Sequence, residues 1–167
     1  MAIRNIRKEG DPLLRKKSRK IEIIDERIKM LIEDMAETMK ESEGVGIAAP
    51  QVGVLRRLFV IDLRDDKGLR VFINPEIIEK NDDEEIDIEG CLSVPEQSGF
   101  VKRPTKIRLR YQDEDGQSHE IEASDYFARV IQHENDHLNG VLYIDKKLAK
   151  DDPELVQWLE EQEKEEE

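Results

Sequence analysis

The sequence predicts an α+β domain in which mostly antiparallel β-sheets pack around a central helix. One amphipathic segment, residues 28–39, is typical of an N-terminal core helix. A series of short apolar runs separated by turn-forming residues follows it and indicates strands. A second amphipathic segment, residues 125–138, comes after the strands and predicts the central helix. This order, a helix, several strands and a helix, is typical of an α+β fold.

The chain is expected to form one domain over residues 1–167, because its length suits a single core and it has neither an internal repeat nor a linker rich in Gly or Ser. Its first helix is predicted to begin after an Asp25 cap and to end at Gly44. The apolar face of that helix consists of Ile28, Leu31, Ile32, Met35 and Met39.

Aliphatic and aromatic runs predict the strands. The strand over residues 69–73 is expected to end before Asn74–Pro75. Asp113–Gly116 is expected to form the hairpin turn between the last two strands, residues 107–111 and 118–123. Residues 82–85 predict a polar loop, and residues 141–144 predict a short strand or an extended packing segment. The predicted strands are residues 58–63, 69–73, 107–111 and 118–123.

A C-terminal helix is indicated by Asp152 as its cap, Pro153 in its first turn and an apolar face containing Leu155, Trp158 and Leu159. Its last part, residues 160–167, is expected to be a frayed acidic tail, because repelling like charges bury no apolar surface.

Composition limits the classes of function. Forty acidic and 27 basic residues give a formal net charge of −13, which argues against direct nucleic-acid binding. No segment approaches the length of a membrane span, and residues 1–5 lead into charges, so no membrane association and a cytoplasmic location are expected. The single cysteine fits a reducing compartment. The charge is uneven: the first 20 residues are basic and the last 17 are strongly acidic.

The central helix carries the strongest chemical signal. His133 and His137 are four residues apart and therefore share one helical face, the spacing of the HExxH motif that binds a divalent metal. Glu134 lies beside the metal's open side, where its carboxylate can accept a proton from water. Ser124 or Asp125 can cap the start. Asn139–Gly140 supplies a stop, and the apolar arc of the helix contains Phe127, Val130, Ile131 and Leu138.

Two further stretches can complete such a site. A catalytic zinc-like centre has three protein ligands, so a third must come from elsewhere. Cys91, the only cysteine, follows Gly90, which permits a tight turn or the close approach of a ligand. The glycine-rich stretch 44–53 lacks the features of a nucleotide-binding loop, and its Gln51 could donate an amide hydrogen bond to an oxyanion.

Residues 44–51 (GVGIAAPQ), 89–93 (EGCLS) and 133–140 (HENDHLNG) resemble, in this order, the three signature motifs of the peptide deformylases. The resemblance extends from about residue 10 to residue 145. It implies a bacterial-type, cytoplasmic metallohydrolase that removes the formyl group from the N-terminal formyl-methionyl residue of nascent polypeptides. One position departs from the family pattern: Asn135 occupies a place that is commonly apolar. We expect it to alter packing and leave the chemistry intact.

The resemblance also implies a role for individual residues. Cys91, His133 and His137 would hold the metal, typically Fe²⁺, with Zn²⁺, Ni²⁺ or Co²⁺ able to substitute. Glu134 would move the proton. The Gln51 amide and the Leu92 N–H would stabilise the developing oxyanion. Arg103 would pair with Asp136, and the substrate would contact Gly44, Val45, Gly46, Glu89 and Val130.

Two other interpretations remain open at this level. A zincin-type endopeptidase would use the same histidine pair with a downstream third ligand, for which Glu154 is the nearest candidate. A non-catalytic module with a structural metal would need a fourth ligand, and His119 is the remaining histidine. Transient contact with the ribosome is a further expectation. It would have to involve a surface other than the acidic tail, such as the basic first 20 residues.

Overall fold

Three α-helices and seven strands form the part of the chain that the structure, a computed structural model, describes: residues 2–166. The helices are α1 (Glu26–Glu41), α2 (Asp125–Leu138) and α3 (Pro153–Glu166). All pairings among the named strands are antiparallel, which confirms the predicted α+β class. The strands are β1 (Gly46–Ala48), β2 (Leu58–Ile61), β3 (Arg70–Lys80), β4 (Glu84–Cys91), β5 (Val94–Pro104), β6 (Lys106–Gln112) and β7 (Ser118–Ser124).

The larger sheet has the strand order β1-β2-β3-β6-β7 and separates two helices. Because side chains alternate across a strand, Leu58 and Val60 of β2 face the cluster around α1, whereas Phe59 and Ile61 face the cluster around α2. All four residues of β2 are buried, since both faces of the sheet are covered. The remaining two strands, β4 and β5, form a separate hairpin.

Helix α1 follows the sequence prediction at its start. The Asp25 carboxylate accepts a hydrogen bond from the Ile28 N–H at 3.1 Å, and the predicted apolar face packs into the core. The helix ends at Glu41, before the predicted stop at Gly44. The chain already turns at Glu43, whose φ of 59° is left-handed, so the helix cannot continue to Gly44.

The prediction that the second strand ends before Asn74–Pro75 is wrong, because β3 continues through these two residues. The strand pairing shifts in register between Ile73 and Glu76, which gives the proline a place in a bulge where no ladder N–H is required. Asn74 adopts a φ of 51°, and its side chain bonds both the N–H and the carbonyl of Ile21. These side-chain bonds stabilise the bulge.

The hairpin of β4 and β5 was not predicted, and the second half of the predicted loop at residues 82–85 is the start of β4. The usual strand signal is missing from β4, because only Ile86 and Glu89 are buried and acidic residues occupy most exposed positions. An inward-facing glutamate breaks the alternation of apolar and polar residues on which strand prediction depends.

The C-terminal region is more helical than expected. Residues 141–144 form no strand, and a short 3₁₀ helix covers Tyr143–Asp145. Asp152 caps α3 as predicted, accepting from the N–H groups of Glu154 and Leu155. The segment predicted to fray is helical as far as Glu166, since glutamate is a good helix former and Gln157 bonds Glu161 one turn later. Residue 167 lies outside the described residues.

None of the helices within residues 2–166 combines the length and the apolar character that a membrane span requires.

Candidate metal centre

Helix α2 carries the two imidazoles into the interior. Its apolar side, which includes Ile131 and Leu138, packs on the larger sheet. The side chains of His133 and His137 are almost completely buried. The predicted stop is observed: Asn139 is the C-cap, and Gly140 follows with a φ of 75°. Ser124 occupies the predicted N-cap position, but its side chain makes no capping bond, and Asp125 is the first residue of the helix.

Three predicted metal ligands lie close together at the junction of α2 and the end of β4. Donor atoms of Cys91, His133 and His137 all lie within 4.8 Å of one another, and the Cys91 Sγ is 3.4 Å from the His137 Nε2. A tetrahedral ion with metal–ligand bonds of about 2.0–2.3 Å holds its donors roughly 3.5 Å apart, which the distance between Cys91 and His137 matches. Within residues 2–166 no other group of three such donors converges in this way. The residues therefore fit a single transition-metal ion.

Hydrogen bonding and burial determine the protonation of the His133 and His137 imidazoles. The Nδ1 of His133 lies 2.9 Å from the Glu89 Oε1, and because a carboxylate accepts, this nitrogen carries a hydrogen and Nε2 is the ring nitrogen left to face a metal. Burial lowers the pKa of His137 well below its usual value, which favours the neutral, metal-binding imidazole. Burial also opposes a charge on His133, but its bonds with Cys91 and Glu89 outweigh this and raise its pKa to about 10. A metal that binds at His133 would therefore have to displace a proton.

Glu89 is the centre of a buried network of charges. Arg103 donates two hydrogen bonds to its carboxylate, from Nε at 2.6 Å and from Nη2 at 3.0 Å, and Arg129 donates a third from Nη1 at 2.6 Å. Burial alone would raise the pKa of Glu89, but the bonds from His133 and Arg103 hold it far below its usual range. The carboxylate is therefore always charged near neutral pH and fixes the His133 ring.

Sequence reasoning missed both this role of Glu89 and the presence of Arg129. The signal was available: Arg129 lies four residues before His133 on the same face of α2, and Glu89 lies two before Cys91 on the same face of β4. The expected pair of Arg103 and Asp136 is present, with Nη1 donating to Oδ2 at 3.0 Å. It ties the hairpin to α2.

Glu134 is buried without compensation. Its Oε1 has no hydrogen-bond partner among the described residues, and burial raises its pKa to about 7. Gly46 on β1 provides the space for it, because a Cβ on Gly46 would lie only 2.6 Å from the Glu134 Oε2. A carboxyl group that is half ionised near neutral pH, and whose oxygens are not engaged, is suited to accept and return a proton.

The orientation of Gln51 is fixed. Its Oε1 accepts from the Ala48 N–H at 2.9 Å, so its amide NH₂ must point the other way. There it lies 3.6 Å from the Cys91 Sγ and 3.1 Å from the Ser93 Oγ. Leu92 follows Cys91 in the turn of the hairpin, and no turn or loop carbonyl within residues 2–166 accepts from its N–H. Both donors therefore lie beside the ligand cluster.

A cleft of about 540 Å³ leads to these residues. Its walls include Cys91 and His133, together with the predicted Gly44, Val45, Gly46, Glu89 and Val130. Two residues that the sequence did not single out, Ile88 and Tyr126, also line it, and each leaves more than half of its surface exposed. Exposed apolar side chains at the mouth of a cleft are typical of a binding site for an apolar group.

The residues named by the two rival interpretations lie elsewhere. His119 bonds Asp113 at 2.7 Å in the hairpin of β6 and β7, and Glu154 pairs with Lys102 on the surface. Neither joins the donor cluster. Asn135 lines a different cavity, of about 670 Å³, and its buried Oδ1 has no partner within the described residues.

Comparison with known proteins places these features in context. The family model described as polypeptide deformylase matches residues 3–153. The peptide deformylase of Finegoldia magna is 52% identical over 155 residues, which cover 93% of this chain and 96% of that protein. Peptide deformylase 1 of Clostridium acetobutylicum is 58% identical over 146 residues, covering 87% of this chain and 95% of that protein.

Solved structures give the same result. The crystal structure of peptide deformylase from Thermotoga maritima superposes with a TM-score of 0.86 at 46% identity, covering 89% of this chain and 100% of that one. A peptide deformylase from Synechococcus elongatus in complex with actinonin superposes with a TM-score of 0.83 at 40% identity, covering 87% and 79% of the two chains.

Proposed function

The chain belongs to the peptide deformylase family, and on that premise we propose that Cys91, His133 and His137 hold its metal. Enzymes of this family remove the formyl group from the N terminus of nascent polypeptides, and this chain is accordingly a metal-dependent hydrolase that releases formate from formyl-methionyl peptides. The convergence of one thiol and two imidazole nitrogens, with Cys91 and His133 lining the cleft, is the observation that carries the assignment of ligands.

The bound metal would act as a Lewis acid that activates water for attack on the formyl carbon. We propose Fe²⁺ as the resident ion, and Zn²⁺, Ni²⁺ or Co²⁺ as ions that can replace it. One thiolate with two imidazoles suits several first-row metals, so the supply of metal decides among them.

Glu134 takes a proton from the attacking water and returns it to the leaving amine. Its pKa of about 7 supports this assignment, because such a group holds and releases a proton with similar ease near neutral pH. Its Oε1, which has no bond to any other described residue, supports it as well.

The Gln51 amide and the Leu92 N–H stabilise the oxyanion that develops on the formyl oxygen. The Oε1 bond to Ala48 holds the Gln51 amide in place before substrate arrives, so that no reorganisation is required during the reaction. Loss of one such donor is expected to cost about 3 kcal/mol of transition-state stabilisation.

The substrate occupies the cleft as an extended chain. Val45 and Val130 offer an apolar surface to the methionine side chain, while the backbone around Gly44, Gly46 and Glu89 supplies hydrogen bonds to the peptide.

The two cores share the larger sheet, and the family model covers residues 3–153, which supports one domain over residues 1–167. We also place the enzyme in the cytoplasm, in transient contact with the ribosome.

Cobalt binding tests the proposed ligands. Anaerobic titration of the metal-free parent with Co²⁺ is expected to give one bound ion and the near-ultraviolet charge-transfer band of a cobalt thiolate. Cys91→Ser should lose the band and bind Co²⁺ at least 10-fold more weakly, whereas Glu154→Gln should match the parent. Parent-like affinity for Co²⁺ in Cys91→Ser, or loss of cobalt in Glu154→Gln, would favour the endopeptidase arrangement.

A further inference from the structure

Helix α2 has a second polar face, which the proposed function does not use. Gln132, Asn135, Asp136 and Asn139 follow each other at helical spacing, so they share one side of the helix. All four line the cavity of about 670 Å³, which is here called the rear cavity. Within residues 2–166 no residue lines both this cavity and the substrate cleft. The rear cavity is therefore a separate site.

The rear cavity is cationic, although the chain has a net charge of −13. Its walls contain six Lys or Arg residues and two acids, Glu76 and Asp136. Both acids already have cations beside them. The Asp136 Oδ2 lies 3.0 Å from both the Arg103 Nη1 and the Lys146 Nζ. Glu76 is directly opposite Arg110 in the pairing of β3 and β6. The remaining positive charge attracts an anion.

Arg57 lines the rear cavity without an acidic partner. No carboxylate within residues 2–166 lies within 4.0 Å of its guanidinium. This group donates to neutral oxygens, which are the carbonyls of Ser18 and Leu138 and the Asn139 side chain, at 3.1–3.3 Å. Burial lowers its pKa, and none of these oxygens carries a charge that offsets the cost. A guanidinium has more N–H donors than these bonds use, so donors remain for a ligand.

Asn135 supplies a second, independent sign of a ligand. Its buried Oδ1 accepts no hydrogen bond from any residue within residues 2–166. A buried amide oxygen without a donor costs stability, and an apolar side chain at this position would avoid that cost. A ligand that donates a hydrogen bond would remove the cost as well. The Asn135 oxygen therefore indicates a ligand that carries a donor.

The bonds on either side of Asn135 place charged groups near it. Asp136, which Lys146 contacts, is the next residue. Asn139, whose side chain accepts from Arg57 at 3.1 Å, lies one turn further along the same face, about 6 Å away along the helix axis. A small molecule at Asn135 therefore lies within reach of both Arg57 and Lys146.

We infer that the rear cavity binds a phosphate group that carries a hydrogen, as inorganic phosphate or as part of a small phosphate ester. Guanidinium groups match the geometry of phosphate oxygens, so Arg57 and Lys146 bind the charged oxygens. The P–OH donates to the Asn135 Oδ1. Sulfate has the same shape but no hydrogen near neutral pH, so it leaves this oxygen without a donor. The volume of about 670 Å³ leaves room for an organic part of the ligand.

Isothermal titration calorimetry of the Zn²⁺-loaded full chain tests the inference with inorganic phosphate, glycerol 3-phosphate and sulfate. We expect one bound phosphate or ester per chain, held at least 10-fold more tightly than sulfate. The tighter of the two phosphate compounds identifies the source of the group. Asn135→Leu should weaken phosphate binding at least 10-fold and sulfate binding less than twofold, because it removes only the acceptor of the P–OH.

Arg57→Gln and Arg56→Gln form a matched pair, because each removes one arginine and Arg56 lines a different groove. Arg57→Gln should weaken the binding of both phosphate and sulfate at least 10-fold, since both are anions. Arg56→Gln should bind them within twofold of the parent. Circular dichroism checks each fold. If Arg57→Gln is unfolded, Lys146→Gln, which changes an exposed side chain, must still weaken phosphate binding at least threefold.

Urea unfolding separates ligand binding by Asn135 from a role in packing. Without phosphate, Asn135→Leu should be at least as stable as the parent. Added phosphate should raise the unfolding midpoint of the parent more than that of the variant. A variant that is less stable without phosphate would contradict the account of Asn135.

Three results of the calorimetry overturn the inference. They are no binding of either phosphate compound by the parent, sulfate binding as tight as phosphate binding, and equal phosphate affinity in the parent and Asn135→Leu. Phosphate bound at the metal would give the last result, because Asn135→Leu leaves the proposed metal ligands unchanged. Equal weakening by Arg56→Gln and Arg57→Gln would also contradict a site in the rear cavity.

Discussion

Two buried carboxylates lie in the same site, and their surroundings are opposite. Glu89, on the hairpin side, receives hydrogen bonds from Arg103, Arg129 and His133 and stays ionised. Glu134, on the β1 side, has an oxygen without a partner among the described residues and a pKa raised to about 7 by burial. The first is fixed in one charge state, and the second changes its charge near neutral pH.

The difference assigns a separate task to each side of α2. A fully compensated carboxylate can hold a metal-binding histidine in one tautomer, but it cannot exchange a proton at neutral pH. An uncompensated one costs stability, yet it is suited to proton transfer. Variants that exchange or remove these surroundings test the comparison.

The largest effect on stability is expected when Glu89 loses its main partner. Arg103→Met should lower the free energy of unfolding by about 3–5 kcal/mol, because it leaves a buried carboxylate with too few partners. Urea unfolding at neutral pH measures this. The control Arg108→Met removes an exposed arginine from β6 and should cost under about 1 kcal/mol. Similar losses in the two variants would show that the Glu89 network contributes little.

Crowding Glu134 should affect turnover. Gly46→Ala places a Cβ 2.6 Å from the present position of the Glu134 Oε2, so the carboxylate must move. A displacement of this size is expected to lower kcat by about 10²-fold while the chain still folds and binds one metal ion. Steady-state kinetics, metal analysis and circular dichroism check the three parts. Parent-like kcat would mean that the position of Glu134 is not critical.

The raised pKa of Glu134 predicts a pH dependence of stability in the metal-free protein. Its pKa is about 7 when folded and about 4.5 when unfolded, so the folded state holds the proton more tightly. This contribution is fully present below pH 4.5 and is lost as the pH rises through 7. Relative to Glu134→Gln, the parent should lose about 2.5 kcal/mol between pH 5 and pH 8.

Chemical unfolding of the parent and Glu134→Gln in the presence of a chelator measures this difference in stability. The contribution of Glu89 to the pH dependence cancels, because both proteins contain it. A constant difference across the pH range would contradict the assigned pKa.

The smallest effect is expected on α3, whose acidic groups face water. Only Leu155 of this helix is buried, and residues 160–167 contain none of the site residues. Deleting these eight residues should leave kcat within twofold and change the free energy of unfolding by less than about 0.5 kcal/mol. Assay of a short formyl peptide and urea unfolding check this. A large loss of turnover would give the tail a catalytic role.

Much of the site could be predicted from the sequence, because its residues lie in short motifs with informative spacing. The interval between His133 and His137 fixes their common helical face without any knowledge of the rest of the fold. The convergence of Cys91 with them required the resemblance between three separate motifs and a known family. The caps at Asp25 and Asp152 were predictable as well, since capping is local.

Features that depend on distant contacts were not predictable. The bulge at Asn74–Pro75 exists because the Asn74 side chain bonds Ile21, which is 53 residues away. Strand β4 lacks the usual alternation of apolar and polar residues, because Glu89 points inward and bonds Arg103 of β5 and Arg129 of α2. The bridge between Arg19 and Arg56 joins two segments that are far apart in the sequence. Composition and periodicity contain none of this information.

Formate release from formyl-Met-Ala-Ser is the measurement that tests the central claim most directly. The parent and Glu134→Ala are prepared without oxygen, loaded with Fe²⁺, and compared at equal metal content. We expect steady release by the parent and a rate at least about 10²-fold lower in Glu134→Ala. Equal rates would contradict the role of Glu134 as the group that moves the proton. Absence of release from a folded, metal-loaded parent would contradict the assigned reaction itself.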